Sequence, residues 1–185
     1  MHTTYTQARA CTHAFLPTNA PHPPFTHGCS YHLDAETRAI TEVFRHEAKP
    51  GSGPRHTAVH PALSKIYVLH EMGSFVGVLD VAEDGALTPQ QAVSSLPANF
   101  NGTTKAAEIV ITGDGKFLLA SNRGFGQGSN SVAVFAVDAA TGDIELVQIT
   151  SAGGEFPRGM EIIPDSHYSV MVEGQSSGNL AVLTL

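Results

Sequence analysis

The apolar positions of the chain fall into short runs that recur at a fixed spacing. In A-A-E-I-V-I-T-G-D-G-K-F-L-L-A-S-N-R-G, from Ala106 to Gly124, an alternating run (Ala107 to Ile111) reaches a Thr112-Gly113-Asp114-Gly115 turn. A second apolar run, Phe117 to Ser121, follows and ends in the polar pair Asn122-Arg123. This pattern predicts two short antiparallel strands joined by a tight turn. The same unit appears at P-R-H-T-A-V-H-P-A-L-S-K-I-Y-V-L-H-E, Pro54 to Glu71, with His60-Pro61 in the turn, 52 positions earlier. It appears again at P-R-G-M-E-I-I-P-D-S-H-Y-S-V-M-V-E-G-Q, Pro157 to Gln175, with Pro164 in the turn, 51 positions later. Acidic or glycine-containing turns after Leu33, Val81 and Val137 keep the same period, and Asp34 and Asp138 are 104 residues apart. A repeat near 51 residues built of four short strands predicts an all-β chain of β-propeller blades, each of four antiparallel strands, with three to four blades present.

The predicted blades divide the chain into an irregular segment, 1–30, and a partial propeller domain, 31–185. The repeat starts part-way through a blade, with outer strands at Tyr31 to Leu33 and Ala39 to Arg45. One full blade runs from Arg55 to Leu96 and a second from Ala107 to Thr150. The last repeat, from Arg158 to Leu185, has three strands. A propeller removes its open sheet edges by closing a ring. Two arrangements answer that need: residues 31–45 pair with the strand from Gly178 to Leu185 in a composite blade, or the chain is part of a longer propeller, which we expect. Gly124-Phe125-Gly126-Gln127-Gly128 resembles a nucleotide loop, but it lies between two strands of one blade and reads as a hairpin connection.

Composition narrows the function classes. A net charge of −7 without a Lys/Arg cluster argues against a nucleic-acid partner. No apolar run reaches the roughly 18 residues of a membrane span, and residues 1–25 lack the pattern of a secretory signal. The expected location is the cytoplasm. Cys11 and Cys29 do not make a disulfide framework. His2, His13, His22 and His27 are irregularly spaced, with no carboxylate or cysteine pair to complete a metal site, so neither metal nor other cofactor is expected.

Aligning the three units brings candidate chemistry into register. Arg55, Ala107 and Arg158 start the predicted inner strands, followed by His56, Glu108 and Gly159. Glu71, Arg123 and Gln175 end the second strands, and Asn122 precedes Arg123. In a propeller both levels face one end of the central channel. Arginine forks bind carboxylate or phosphate oxygens, and a neighbouring Glu or His can move a proton. The same residues also read as ion pairs fastening blades, Arg55 with Glu71 and Glu108 with Arg123. His60 and His70 read as structural, and Glu161 and Glu173 as facing solvent or a neighbouring strand.

The segments G-S-G-P-R-H-x-x-x-H-P (Gly51 to Pro61), A-A-E-I-x-I-T-x-D-G-K-F-L-x-A-S-N-R (Ala106 to Arg123), F-P-R-G (Phe156 to Gly159) and G-Q-S-S-G-N-L-A-V (Gly174 to Val182) resemble the C-terminal half of the seven-bladed lactonase propeller family. That family includes propeller-type 6-phosphogluconolactonases and fungal carboxymuconate lactonising enzymes. The resemblance implies a site near the channel mouth with its arginines on Arg55 and Arg123 and its glutamate on Glu71. Family members are about twice as long, and an inner-strand histidine expected in the blade before Arg55 has no clear counterpart. The expected function is a lactone hydrolase acting on a small anionic lactone such as 6-phosphogluconolactone. The alternatives are a lactonising enzyme or a non-catalytic propeller fragment able to self-associate through open edges. In this scheme Glu71, Arg55, Arg123 and His56 are catalytic, with Glu71 as general base and His56 and Glu108 behind it. Arg158, Glu108, Asn122 and Gln175 bind substrate.

Overall fold

The computed structural model describes residues 27–124, 129–164 and 168–184. These residues form thirteen strands and no helix, in four antiparallel sheets. The first sheet is β1 (His27–Leu33) with β2 (Ile40–Glu47). The second is β3 (Pro54–Val59), β4 (Lys65–His70), β5 (Phe75–Val81) and β6 (Leu87–Ser94) in sequential order. The third is β7 (Thr104–Ile111), β8 (Phe117–Gly124), β9 (Ser131–Val137) and β10 (Ile144–Ser151). The fourth is β11 (Pro157–Ile162), β12 (Ser169–Gly174) and β13 (Asn179–Thr184). This is the expected succession of blades, and the first strands β3, β7 and β11 lie close to one another across the seams, as axis-lining strands must.

The continuous apolar runs of β4 and β8 follow from burial on both faces. A sheet covered on both sides needs apolar residues at every position rather than at alternate ones. Tyr67 and Leu69 of β4 enter one core with Leu118 and Ala120 of β8 and Phe135 of β9, between the second and third sheets. Ile66 and Val68, pointing the other way, pack with Leu79, Leu87 and Phe44 toward the first sheet. Leu119 of β8 likewise turns to the opposite side, to Val132, Val134, Met160, Val170 and Val172, between the third and fourth sheets. Tyr67 ends its burial in a hydrogen bond from Oη to the Gly142 carbonyl at 2.9 Å, and its phenol is pushed up to about 12, first by burial and then by Asp143.

Among the described residues the end sheets are covered on one face. In β12 the buried residues alternate strictly, with Val170 and Val172 inward and Met171 and Glu173 outward. Leu180 and Val182 of β13 are 64% and 62% exposed. The fourth sheet does not pair with the first. A composite blade would in any case duplicate a strand, because β1 occupies the third-strand position that β13 already fills.

Several boundaries differ from the sequence expectation. The first strand begins at His27 rather than Tyr31, and Cys29 is buried within β1. β6 begins at Leu87, directly after the Asp84-Gly85 turn, which closes with Ala82 N donating to Ala86 O and Gly85 N to Ala82 O. The connection after Gly124 joins β8 and β9, which are antiparallel neighbours, so it is a hairpin connection. Its residues 125–128, and the tail carrying His2, Cys11, His13 and His22, lie outside the described residues.

Candidate functional site

The site begins with an irregularity repeated at the start of three inner strands. Pairing slips between Pro54 and His56 in β3, between Ala106 and Ile109 in β7, and between Pro157 and Gly159 in β11. Bulges re-aim side chains, and the residues at these slips are Arg55, Ala107 with Glu108, and Arg158. Sequence periodicity places them at a common level but carries no sign of the bulge.

Before two of the bulges the chain turns through the left-handed region, at Gly53 (φ 64) and Phe156 (φ 59). Gly53 fits because a Cβ there would approach Met72 Cγ to 3.0 Å. Phe156 is the unusual member, since such a φ strains a non-glycine residue. Its ring lies under the Arg123 guanidinium, 5.2 Å from centroid to Cζ. Sequence reading of F-P-R-G did not include Phe156 among the site residues.

The structure brings Arg55, Glu71, Arg123, His56 and Glu108 together across the seam between the second and third sheets. Glu71 is fixed by its backbone: its N–H donates to Gly53 O and its carbonyl accepts from Ala106 N on the next blade. Its carboxylate stands between two guanidiniums. Arg123 Nη2 donates to Oε1 at 2.6 Å and Arg55 Nε lies 3.5 Å from Oε2. Arg123 is 8% exposed, and its buried Nε has no hydrogen-bond partner. Arg55 Nη1 donates to the Ala107 carbonyl on the adjacent blade. Burial first, then Arg123, lowers the pKa of Arg55, against the opposing effect of Glu71.

The expected pairing of Glu108 with Arg123 is not the one formed. Glu108 instead accepts from His56 across the seam, Nδ1 to Oε1 at 2.6 Å, because the bulge in β7 turns it toward β3. Arg123 is free for Glu71 as a result. Arg158 is exposed, with Nη1 3.5 Å from Gln175 Oε1, and reaches the cluster through its effect on Arg55. Three guanidiniums against two carboxylates leave this group with a net charge of +1 when His56 is neutral.

Asn122 does not join them. It is fully buried, its Oδ1 accepts from Ser95 Oγ at 2.7 Å, and its Nδ2 donates to Ser95 O at 2.8 Å and Ser131 Oγ at 3.3 Å. Adjacent residues of a strand face opposite sides, so Arg123 reaches the site while Asn122 clamps the second sheet to the third. Asn122 therefore stands apart from the arginine cluster, among the hydrogen bonds that join the second sheet to the third.

An open groove of about 390 Å³ lies on the other side of Glu108, lined by Gly159, Met160, Glu161, Met171 and Glu173. Its carboxylates and apolar side chains suit an anion poorly, and it occupies the uncovered face of the fourth sheet. The groups whose chemistry suits the oxygens of an anion are the guanidiniums of the arginine cluster. Among the described residues no group of three or more His, Cys, Asp or Glu side chains is placed to hold a metal ion.

Comparison with known proteins agrees with this architecture. The profile of the family described as "Lactonase, 7-bladed beta-propeller" matches residues 29–185. The chain is 33% identical to the 6-phosphogluconolactonase of Bacillus subtilis over 144 residues, covering 77% of this chain and 40% of that protein. It is 37% identical to a probable 6-phosphogluconolactonase of Arthroderma benhamiae over 147 residues, covering 75% of this chain and 36% of that one. Among solved structures, the periplasmic gluconolactonase of Pseudomonas aeruginosa superposes with a TM-score of 0.77 at 29% identity, over 86% of this chain and 44% of that one. The chain therefore spans about two fifths of the length of the curated relatives it matches.

Proposed function

The chain belongs to the seven-bladed β-propeller lactonase family, and from that premise we propose that its arginine cluster serves the opening of a small anionic lactone, such as 6-phosphogluconolactone. The observation that carries this reading is the Glu71 carboxylate holding Arg55 and Arg123 side by side at the axis end of one seam. Ester opening needs a place for the substrate anion and for the negative charge that develops on the carbonyl oxygen. Two guanidiniums fixed by a shared carboxylate supply donors for both without reorganisation, and Arg158 adds a solvent-facing cation at the rim. Glu71 has both oxygens engaged with guanidinium groups, so its part in this reading is to set their positions. The cytoplasmic location and a small-molecule substrate belong to the same reading. Among the described residues no helix is long and apolar enough to cross a membrane.

The test is direct. The purified chain, incubated with 6-phosphogluconolactone between pH 6 and pH 8, should release acid faster than the spontaneous rate, and a muconolactone in parallel separates hydrolysis from lactonising chemistry. The scaffold alternative requires no acceleration with either substrate. Size measurement reports whether the uncovered sheet faces bring two chains together.

A further inference from the structure

We propose that His56 and Glu108 form the proton-transfer dyad of this site, with His56 Nε2 as the general base and then the general acid, and Glu108 as the residue that positions it. The proposal rests on the lactone reading and deepens it. Glu71 carries the sequence's expectation of a base, but both its oxygens face guanidiniums. The His56–Glu108 pair is differently placed. Its members come from β3 and β7, on two blades, and meet at 2.6 Å between Nδ1 and Oε1. A carboxylate can only accept, so we take the ring proton to be on Nδ1, pointed at Glu108, with the lone pair on Nε2, while Arg55 Nη1, a donor 3.1 Å from Nδ1, gives its hydrogen bond to the Ala107 carbonyl. Nε2 makes no hydrogen bond among the described residues, and the His56 side chain is 35% exposed, so water reaches it.

Glu108 is itself held in place. Its own N–H donates to Ser121 Oγ at 3.0 Å, and its Oε1 also accepts from Ile109 N at 3.1 Å. The charged groups facing the imidazole are Glu108 from β7 and Arg55 from β3, whose Nη1 lies 3.1 Å from Nδ1. This is a nucleophile–base–orienter arrangement in which water is the nucleophile. In the reaction, His56 Nε2 takes a proton from a water as the water oxygen bonds to the lactone carbonyl carbon. The ring C–O bond then breaks, and the Nε2 proton passes to the leaving alkoxide oxygen. The product is the hydroxy acid, and the imidazole returns neutral. Arg55 thereby joins the two halves of the site, one guanidinium touching both Glu71 and the dyad.

The experiment compares the full chain with His56→Asn, Glu108→Gln and Glu71→Gln, each checked for folding by circular dichroism, using 6-phosphogluconolactone. His56→Asn should lower kcat by about 10²-fold or more and abolish the acidic limb of the pH–kcat profile. Glu108→Gln should lower kcat by about 10-fold and leave KM within about twofold, a split that a merely structural loss would not produce. Glu71→Gln should act mainly on KM. If the chain accelerates hydrolysis and folded His56→Asn keeps its kcat and its acidic limb, the dyad is overturned and the lactone reading stands. A wild-type chain without acceleration overturns the lactone reading and with it the catalytic role. Nitrogen NMR of the imidazole then judges the geometry by itself, with a neutral Nδ1–H tautomer expected at pH 8 and an Nε2–H tautomer overturning the pair.

Discussion

Two seams of this molecule are built on the same backbone and carry opposite chemistry. Across the seam between the second and third sheets lie Arg55, Glu71, Arg123, His56 and Glu108. Across the seam between the third and fourth sheets, the matching positions hold Ala107, Arg123, Gln175, Glu108 and Gly159, and no ion pair crosses it among the described residues. That seam is closed by an apolar core and by hydrogen bonds rather than ion pairs. Ser121 Oγ donates to Pro157 O at 3.3 Å, Asn179 Nδ2 donates to Gly153 O at 2.9 Å, and Tyr168 Oη donates to Asp114 Oδ2 at 2.6 Å. Blades therefore dock without an ion pair across the seam. Fastening alone does not account for Arg55, Glu71 and Arg123, and partly buried ion pairs are a weak route to stability in any case.

The largest expected effect comes from the packing that both seams share. Leu118 is fully buried between the second and third sheets. Leu118→Ala should lose about 3–5 kcal/mol in urea unfolding, through lost transfer energy and the cavity left behind. Met171, 38% exposed on the uncovered face of the fourth sheet, should lose under about 1 kcal/mol on the same change. Equal losses would mean that the uncovered face is buried in solution.

Breaking the charged seam tests its purpose. Glu71→Ala leaves Arg55 and Arg123 facing one another without their shared carboxylate, which should cost about 1–3 kcal/mol of stability. Binding of 6-phosphogluconate, followed calorimetrically, should weaken by about 10-fold as the guanidiniums lose their positions. Asn179→Ala, at the seam without an ion pair, should cost about 1 kcal/mol and leave that binding unchanged. A binding loss of the same size in both variants would remove the distinction between the seams.

The junction of the first and second sheets supplies a pH dependence of its own. His70 is 5% exposed, stacked on Phe75 at 4.1 Å, and its pKa is pushed down to about 4, first by burial and then by His46. Ser52 Oγ donates to Lys49 O, so it accepts from His70 Nδ1 at 2.9 Å, and the ring is held as the neutral Nδ1–H form. The folded pKa lies below the unfolded value, so the unfolded chain binds the proton first as pH falls. The stability is fully present above pH 6.5 and is lost between there and about 4, by up to about 3 kcal/mol. His70→Gln should flatten the dependence of unfolding free energy on pH in that window.

The fold was legible in the sequence because a blade covered on both faces imposes two signals at once, short apolar runs and turn residues at one period. Tyr67 and Leu118 belong to such runs. The register of Arg55, Glu71 and Arg123 was legible for the same reason, since a 52-residue offset carries a side chain from one blade to its equivalent on the next. The pairing was not, because it depends on bulges. An extra residue in β7 swings Glu108 from Arg123 to His56, and no residue type in A-A-E-I announces it. The buried place of Asn122 was not legible for a related reason: adjacent positions of a strand share a sequence motif but not a face.

The smallest expected effect sharpens the comparison at its finest point, the two corners that precede a Pro-Arg pair. At Pro54-Arg55 the left-handed residue is Gly53, and at Pro157-Arg158 it is Phe156. Phe156→Gly would make the corners alike. Relief of the left-handed strain favours the variant by about 1–2 kcal/mol. Greater freedom of the unfolded chain opposes it by about 1 kcal/mol, and loss of the ring under Arg123 opposes it by about 0.5–1 kcal/mol. These contributions nearly cancel, so the unfolding free energy should change by under about 1 kcal/mol. The ring is nevertheless one wall of the environment of Arg123, whose Nε is buried without a partner. Removing it admits water to the guanidinium and should weaken 6-phosphogluconate binding by about 3-fold or more while stability holds. A variant that is clearly more stable and binds as before would mean that the strained phenylalanine serves neither the fold nor the arginine.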